Sequence, residues 1–580
     1  MRTKFRQLKL VTAMSAALIG AGLGSTANAA VSLTVDGLGD AGVIQYFNTD
    51  VGVDDMGNTY PWQTMFRLFN NSEDAVAVKI RFREADDSRE ILDFVVWLSP
   101  YDAWSAWTSI DAAGDGSDVP GIRTDDTSCT TPAPRQGLQT ESFGWLNNEV
   151  DGTRYAQFKA SSIFGVLEDS QEVRAGLQRL REGYVEIIGM ASFPQGTAIY
   201  AAVKHQKVVG GNTQPTCAGL EAFAFGGNAD VANSGAEDVG NVLAMNAYLG
   251  RKSTGQGIGF EPVVFANFSE EVADAEEMLT EQLTDPQKPD LDSGGLASYV
   301  TDVDAQAIIT DTWDGSAIPN GSAAPGVPLA RNAGNGLAVT GSVDAVSATL
   351  MRTAVVNEWM RRPPQGGVFA NTFSQWVLTF PTMHYYLDDT GDLGVFVSPF
   401  AFPTLETVNT QIPPFAPFNE DAGEPDQPFM VDLYNAEEQK LTYTSPVPGN
   451  DGGLTGEVNV VNWGQNTDPG NGADLGLTAN NPVDFADNLF PENPRFSDDL
   501  AEARARLGWA RMRLADLSTG NFFIPTNADL GLTSNASSYV YYGLPVTGFG
   551  FTVYQMDAGS VDGNMTMSFA HKYERNYELK

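Results

Sequence analysis

Residues 75–82 read AVAVKIRF, and the next apolar stretch, residues 91–98, reads ILDFVVWL. In the first stretch every second residue is a large apolar one. These residues share one face of an extended chain, whereas Lys79 and Arg81 lie on the other. The second stretch is almost continuously apolar and ends at Ser99-Pro100, which is typical of a buried strand. Two such strands so close together predict an antiparallel β-sheet.

Strand patterns continue on both sides of this pair. They cover residues 42–47 and 65–69 toward the N-terminus, and residues 184–193 and 198–209 toward the C-terminus. Short strands separated by Gly, Pro, Asn and Asp are typical of antiparallel β-sandwiches. The predicted fold class is therefore mainly β: multi-domain antiparallel β-sandwiches with a few short helices.

Capping residues predict two of these helices. Ser269 is followed by two glutamates, and Ser497 is followed by two aspartates and then by residues 501–512. A serine N-cap with acids in the first turn stabilises the start of a helix. A third segment, residues 343–362, ends at Pro363-Pro364 as a helix would, but its β-branched residues leave a strand open.

The N-terminus has the parts of a secretory signal. Its first nine residues carry four basic side chains, residues 10–23 are apolar or small, and Ala27-Asn28-Ala29 is an A-x-A cleavage site. We therefore predict that residues 1–29 are a signal peptide and that the protein is exported, to the cell surface or beyond, with the periplasm as an alternative. No later run approaches the about 20 apolar residues of a membrane-spanning helix, so no transmembrane segment is expected.

Changes in composition divide the mature chain into three parts. Residues 31–230 are predicted to form a β-sandwich-like domain with one disulfide, and residues 231–398 a mixed, mostly β domain. Residues 399–580 begin with a Pro- and Gly-rich loop and end in a C-terminal β domain.

Composition and charge exclude several classes of partner. The 580 residues include 34 Lys+Arg and 73 Asp+Glu, for a formal net charge of −39, and 42% are hydrophobic. That hydrophobic share is enough for folded cores, so the chain is not a disordered acidic tail. Nucleic acid and anionic lipid both require basic protein surfaces, and neither is an expected partner.

The chain has two cysteines, Cys129 and Cys217. In an exported chain we expect them to form a disulfide. A metal site would need more ligands than this pair supplies, and a catalytic thiol is the weaker alternative because it lacks a nearby histidine.

Motifs for common enzyme mechanisms are missing from the sequence. Residues 37–42 fit G-x-G-x-x-G, but a strand follows them where a dinucleotide site requires a helix, so we interpret them as a glycine turn. The three histidines, His205, His384 and His571, are far apart and have no zinc-ligand spacing. With 73 acids, a pair of catalytic carboxylates stays open.

Acidic clusters make calcium a possible cofactor, because Ca²⁺ binds six to eight oxygen ligands. The tightest cluster is Asp388, Asp389 and Asp392. Aspartate and glycine are also common in ordinary turns, so these residues are a hypothesis for a calcium site and no other cofactor is expected.

Aromatic residues follow the strand at 91–98, among them Trp104 and Trp107. Such rings stack on sugars through their apolar faces, which makes these two tryptophans candidates for a glycan platform. The alternative is a hydrophobic plug at one end of the sandwich.

Several short segments are spread in order over most of the chain. They are GLGD at 37–40, KIRFRE at 79–84, LSPYD at 98–102, NEW at 357–359, WVLTFPT at 376–382 and GLPVTGF at 543–549. In these segments the chain resembles a family of uncharacterised exported β-rich proteins of Gram-negative bacteria, often labelled cell-surface or surface-layer-like proteins. The resemblance implies a surface or surface-layer role and carries no catalytic residues.

Together these features predict a structural cell-envelope protein and not an enzyme. We expect it to associate with copies of itself, as a homo-oligomer or a lattice, with calcium bridging carboxylates between copies. One alternative is a carbohydrate-binding or adhesion module that recognises surface glycans. A second alternative is a secreted hydrolase that uses paired carboxylates.

Overall fold

The computed structural model describes residues 32–293 and 346–579 with internal gaps. The longest stretches outside the described part are residues 1–31, 160–178, 294–345, 389–409, 464–476, 485–506 and 524–538. The predicted signal peptide therefore lies outside the described residues. The described chain is mainly β with several antiparallel sheets, which confirms the predicted fold class.

Fifteen described strands build the N-terminal half. They are β1 Ser32–Leu33, β2 Ala41–Asn48, β3 Val51–Val53, β4 Thr59–Asn70, β5 Ala75–Glu84, β6 Glu90–Leu98, β7 Ala103–Ser109, β8 Gly121–Thr124, β9 Cys129–Thr131, β10 Leu146–Asn147, β11 Arg154–Gln157, β12 Glu182–Phe193, β13 Leu243–Arg251, β14 Gln256–Phe260 and β15 Val263–Ala266.

These strands form two sheets. The first N-terminal sheet has the order β1-β15-β2-β12-β5-β6-β9, and the second has the order β10-β11-β8-β7-β4-β13-β14, with β3 beside β4. The two stretches that most clearly predict a sheet are β5 and β6, which pair antiparallel with Ile80 opposite Phe94. The G-x-G-x-x-G segment leads into β2, and Gly37 has a φ of 78°, as expected for a glycine turn.

The two sheets pack face to face as a sandwich. Phe82 of β5 meets Phe66 of β4 with ring centroids 5.6 Å apart, and Phe94 of β6 meets Trp104 of β7 at 5.9 Å. All four side chains are buried in one continuous apolar core. Burial of a side chain as large as Phe stabilises the fold by about 1.5–3 kcal/mol, so this core is the main support of the sandwich.

The predicted domain boundary at residue 230 is wrong. The strands β13, β14 and β15 follow that residue, yet β13 pairs with β4 of the second sheet and β15 pairs with β2 of the first. Because a sheet joins strands that are distant along the chain, a change in composition did not mark where the sandwich ends.

The described helices of this half are α1 Ala198–Val203, α2 Leu220–Phe225 and α3 Val272–Thr284. The helix predicted after Ser269 is confirmed as α3, which packs against β12. The strand predicted at residues 198–209 is wrong, because α1 occupies its first part. Thr197 is the N-cap of α1, and its Oγ1 accepts a hydrogen bond from the backbone N–H of Tyr200 at 3.1 Å.

The C-terminal half also consists mostly of strands. They are β16 Met351–Arg352, β17 Ala354–Arg362, β18 Asn371–Thr379, β19 Leu387–Asp388, β20 Thr410–Gln411, β21 Phe418–Asn419, β22 Glu424–Gln427, β23 Met430–Asn435, β24 Lys440–Thr442, β25 Leu454–Thr455, β26 Val458–Asn462, β27 Pro482–Asp484, β28 Leu507–Arg513, β29 Phe522–Phe523, β30 Tyr539–Tyr542, β31 Leu544–Pro545, β32 Thr547–Asp557, β33 Asp562–Ala570, β34 Lys572–Glu574 and β35 Tyr577–Leu579.

The largest sheet of this half has the order β24-β23-β28-β17-β18-β26-β27, with β32, β33 and β34 joined at its side. The strand alternative for residues 343–362 therefore holds over β17. The helix predicted over residues 501–512 is wrong in its described part, because β28 pairs with β17 on one side and β23 on the other. Pairing on both edges outweighs the helical propensity of Ala, Arg and Leu in this segment.

Direct contacts join the two halves. The ring of Phe260 in β14 stacks on Phe549 in β32 with centroids 4.2 Å apart. Thr379 Oγ1 donates a hydrogen bond to the carbonyl oxygen of Gln45 at 2.6 Å. The backbone N–H of Glu457 donates a hydrogen bond to the carbonyl oxygen of Ala85 at 2.9 Å. The buried core is continuous across this junction.

The predicted disulfide between Cys129 and Cys217 is confirmed, with Cα atoms 5.6 Å apart. Cys129 begins β9 at the edge of the first sheet, whereas Cys217 lies in the segment between α1 and α2. The disulfide therefore ties the helical segment to a sheet edge that pairs through only three residues.

Candidate functional site

The two tryptophans proposed as a glycan platform lie on opposite faces of the second N-terminal sheet. Trp104 is only 1% exposed and contacts Phe66 and Phe94 in the core. Trp107, three residues further along β7, lies half-buried on the outer face. The prediction of a glycan platform is therefore wrong for Trp104, because its ring is part of the buried core. An odd spacing along a strand places two side chains on opposite faces.

Trp107 belongs to a row of side chains on that outer face. Met65 lies opposite Trp107 on one side and opposite Tyr248 on the other. Met65 is 43% and Tyr248 42% exposed. We call Tyr248, Met65 and Trp107 the aromatic row. Since neighbouring strands are about 4.8 Å apart, the two aromatic residues are separated by roughly 10 Å.

The ring of Tyr248 leans over a glycine on the next strand. Gly259 lies opposite Tyr248 in the β13–β14 pair. A Cβ atom at Gly259 would lie only 3.5 Å from Cδ1 and 3.7 Å from Cε1 of the tyrosine. The Cδ1–Cε1 side of the Tyr248 ring therefore lies next to the glycine, where the neighbouring strand contributes no side chain.

Polar residues border the aromatic row. Along the strands, the next residues on the outer face are Arg67 and Asn246, which lie opposite each other. Arg123 closes the end of the row, because it lies opposite Trp107. Its guanidinium pairs with Asp151 and donates to Thr153 Oγ1 at 2.8 Å. The outer face thus combines exposed apolar rings with hydrogen-bonding groups on either side.

A second polar cluster lies where the end of β6, the β8–β9 loop and the end of α1 meet. His205 Nδ1 lies 3.0 Å from Ser99 Oγ, and His205 Nε2 lies 3.2 Å from Thr127 Oγ1. Asp102 Oδ2 accepts a hydrogen bond from Ser99 Oγ at 3.0 Å and lies 3.8 Å from His205 Nδ1. In a Ser-His-Asp triad the serine and the aspartate contact opposite nitrogens of the ring. Here both are at Nδ1, so the cluster lacks the arrangement of a triad.

Two carboxylates of this cluster approach each other. Ser128 Oγ lies 2.7 Å from Asp126 Oδ1 and 3.2 Å from Asp102 Oδ2. Burial raises the pKa of Asp126, although hydrogen bonds from Ser128 oppose the rise. Each carboxylate also accepts a backbone N–H of its own turn, from Ser99 to Asp102 at 2.9 Å and from Ser128 to Asp126 at 2.8 Å. These bonds fit a role in closing turns, and the paired-carboxylate hydrolase stays a prediction.

The charged face of β5 is buried. Arg83 Nε donates to Glu186 Oε1 at 2.6 Å, and Arg81 Nη1 lies 3.4 Å from Glu186 Oε2. Arg81 Nε donates to Glu90 at 2.9 Å, and its Nη1 lies 3.4 Å from Asp290. We call these five residues the ion cluster. A buried charge is costly unless it is paired, and in this cluster each guanidinium faces at least one carboxylate.

Elements that are distant in sequence cover the ion cluster. Lys79, on the same face of β5, donates from Nζ to Gln282 Oε1 of α3 at 2.8 Å. Arg83 Nη2 lies 3.5 Å from the hydroxyl of Tyr385 in the C-terminal half. Burial by itself lowers the pKa of Arg83, but the acidic groups that face it, Glu186 first and then Tyr385, Tyr184 and Asp290, together hold that pKa above its usual value. The cluster and the residues that cover it therefore join β5 to β12, to α3 and to the C-terminal half.

His571 is a buried histidine of the C-terminal half. Its Nε2 donates to the carbonyl oxygen of Val377 at 3.1 Å, and its Nδ1 lies 3.0 Å from Nδ2 of Asn357. Burial lowers the pKa of His571 to about 4. The neutral imidazole is thus the form that fits the folded protein.

The stability of the fold should therefore decrease in mild acid. Below its ordinary pKa of about 6.5, His571 takes up a proton in the unfolded chain but stays neutral in the folded one down to about pH 4. The free energy of unfolding should fall by roughly 3 kcal/mol from this group as the pH drops through that interval. Urea unfolding between pH 7 and pH 4 measures the loss. The His571→Gln variant should lose less stability than the parent over this pH interval. Equal losses in the parent and His571→Gln would contradict the prediction.

The predicted calcium ligands are outside what the structure describes. Asp389 and Asp392 lie in an undescribed segment, and the side chain of Asp388 is also outside the described residues. Among the residues that are described, no group of three or more His, Cys, Asp or Glu side chains is placed to hold a metal ion. The calcium site thus stays a prediction.

The residues that give the outer face its character were not predicted from the sequence. Residues 243–251 read LAMNAYLGR, and Leu243, Met245, Ala247 and Leu249 are buried in β13. The alternation of apolar and other residues in this segment is the signal in the sequence that could have identified the outer face. It places Tyr248 as the one aromatic residue on the opposite side.

Within the described part of the chain, no helix has both the length and the apolar character needed to span a membrane. No protein-family model, curated protein or solved structure matches the chain.

Proposed function

We propose that the protein is an exported structural protein of the cell envelope that associates with copies of itself, with calcium assisting the association. The observation that carries the proposal is a set of exposed apolar side chains on the surface of a strongly acidic molecule. Exposed apolar patches on soluble proteins mark interaction sites. The charge of −39 keeps such a molecule hydrated and makes copies repel each other.

The exposed set is densest on the C-terminal sheet. Leu507 and Trp509 of β28 are 43% and 40% exposed. Trp509 stacks on Tyr434 of β23 with ring centroids 4.0 Å apart and planes 9° apart. Met360 lies opposite Leu507. We call these four residues the β28 patch, and we propose that it contacts a second copy of the chain.

The ion cluster supports a structural role in a different way. Its two arginines are paired with three carboxylates in the interior, where β5, β12, β6 and the segment after α3 meet. Buried ion pairs between these strands join neighbouring parts of the sandwich. The disulfide between Cys129 and Cys217 adds a covalent tie of the kind that persists in oxidising compartments, which supports export.

Self-association is tested by sedimentation of the purified mature protein over a range of concentrations. We expect oligomers whose fraction rises with millimolar calcium chloride and rises less with sodium chloride of equal ionic strength, since simple screening is common to both salts. The Trp509→Ser variant should weaken association at least tenfold. The Tyr101→Ser variant, which alters a 69% exposed side chain in a turn, should not.

Two outcomes would contradict the proposal. One is a protein that stays monomeric at high concentration with calcium. The other is a protein that a membrane-impermeant reagent does not label on intact cells. A protein that associates without any effect of calcium would remove only the calcium part.

A further inference from the structure

The aromatic row has the form of a narrow strip. Along the strand direction it is only one side chain wide, because the next residues on the outer face are Arg67 and Asn246 on one side and Gln63 on the other. Along a strand, residues on one face are about 7 Å apart. Across the strands the strip is longer, from Gly259 through Tyr248 and Met65 to Trp107.

We propose that this strip binds an extended, uncharged polysaccharide, whose sugar rings stack on Tyr248 and Trp107 with the chain running across the strands. The strip lies in the N-terminal half and the β28 patch in the C-terminal half, so polysaccharide binding does not depend on self-association.

The geometry of Tyr248 favours a sugar. Its side chain is 42% exposed, and the residue opposite it on the next strand, Gly259, has no side chain to cover the ring, so apolar ring surface is open to solvent. A sugar ring offers an apolar face of C–H groups with hydroxyls at its edge. Stacking joins the two apolar faces, and the hydroxyls then meet the polar border formed by Arg67, Asn246 and Gln63. A flat apolar centre with a polar rim matches this chemistry.

The shape of the strip favours a linear ligand over a protein. A stable protein interface extends in two dimensions and buries about 800 Å² on each partner, whereas this strip is a single row of three side chains with polar residues on both sides. A linear ligand needs contact along one direction only. The separation of roughly 10 Å between Tyr248 and Trp107, two strand spacings, leaves space for a sugar unit over Met65 between the two stacked ones.

Charge decides between uncharged and acidic polysaccharides. The chain has a net charge of −39, which repels polyanions at long range. Of the two arginines beside the row, Arg123 is already paired with Asp151. Arg67 by itself does not make the face basic, and its guanidinium can donate hydrogen bonds to hydroxyls as well as to an anion.

Affinity electrophoresis in native gels tests the proposal with three uncharged probes, hydroxyethyl cellulose, laminarin and dextran, and one acidic probe, alginate. We expect at least one uncharged polysaccharide to retard the protein and alginate not to do so. Tyr248→Ala and Trp107→Ala should each weaken the binding about tenfold, the value for loss of one stacking contact. Tyr101→Ala, an exposed aromatic residue outside the row, should bind as the parent does.

Gly259→Val provides a second variant that keeps every aromatic residue. A Cβ at residue 259 would already be in van der Waals contact with the Tyr248 ring, so the additional methyl groups of valine should displace the ring, while valine suits a β-strand. Binding should fall with no loss of thermal stability. No retardation by any uncharged probe, retardation by alginate alone, or equal retardation of the parent and all the row variants would overturn the proposal. A change in oligomeric state in the row variants would instead assign the strip to a protein contact and would also overturn it.

Discussion

Replacement of Glu186 by Gln should lower the free energy of unfolding by about 3–5 kcal/mol, the usual loss when one partner of a buried ion pair is removed. Glu186 is fully buried and lies between two guanidiniums, with Arg83 Nε at 2.6 Å and Arg81 Nη1 at 3.4 Å. Glutamine preserves the size of the side chain but not its charge. Arg83 would then lose its nearest carboxylate, and two buried cations on adjacent positions of one face of β5 would repel each other.

Urea unfolding at pH 7 measures this loss. Asp151→Asn is the matched control, because it also removes one carboxylate from an arginine, but from the surface pair with Arg123. Exposed pairs contribute about 0–1 kcal/mol. A loss for Glu186→Gln no larger than that of the control would mean that the cluster does not depend on this charge.

A double replacement separates the charge from the packing. If Glu186→Leu is combined with Arg83→Met, the buried charges of both partners disappear together and apolar side chains of similar volume fill the space. Replacement of a whole buried pair by apolar groups is often neutral or stabilising. The double variant should therefore be more stable than Glu186→Gln.

The β5 segment also shows what a local sequence pattern can and cannot predict. Alternation in residues 75–82 predicted both the strand and the division of its side chains between two faces. The pattern could not predict that the charged face is buried as well, because Gln282 and Tyr385, which cover it, lie about 200 and 300 residues further along the chain. For the same reason β28 was predicted as a helix: its partners β17 and β23 are remote in sequence.

The residues of the candidate binding face could be predicted only in part, for the same reason. Trp104 and Trp107 were grouped by their proximity in the sequence, whereas their odd spacing along β7 places them on opposite faces of the sheet. Trp107 and Tyr248 are 141 positions apart in the sequence, and only the pairing of β7 and β13 with β4 brings them into one row. The disulfide was predictable because the chain has just two cysteines and therefore a single possible pair.

Trp104→Ala should cost about 3–5 kcal/mol, the range for loss of a large aromatic side chain from a core. The ring of Trp104 packs against Phe66 and Phe94 at 6.1 and 5.9 Å, where the two N-terminal sheets meet. In the described part of the structure its indole N–H has no hydrogen-bond partner. The ring therefore contributes through packing, and alanine would leave a cavity between the sheets.

Trp107→Ala is the matched control, since it removes the same side chain from the same strand but from the outer face. Because its ring is half-buried, less apolar surface is lost and no enclosed cavity forms. We expect less than half the destabilisation of Trp104→Ala in urea unfolding. Trp104→Ala should therefore reduce stability more than Trp107→Ala does. Trp107→Ala should reduce polysaccharide binding more than Trp104→Ala does. Equal losses of stability would contradict the placement of the two tryptophans on opposite faces of β7.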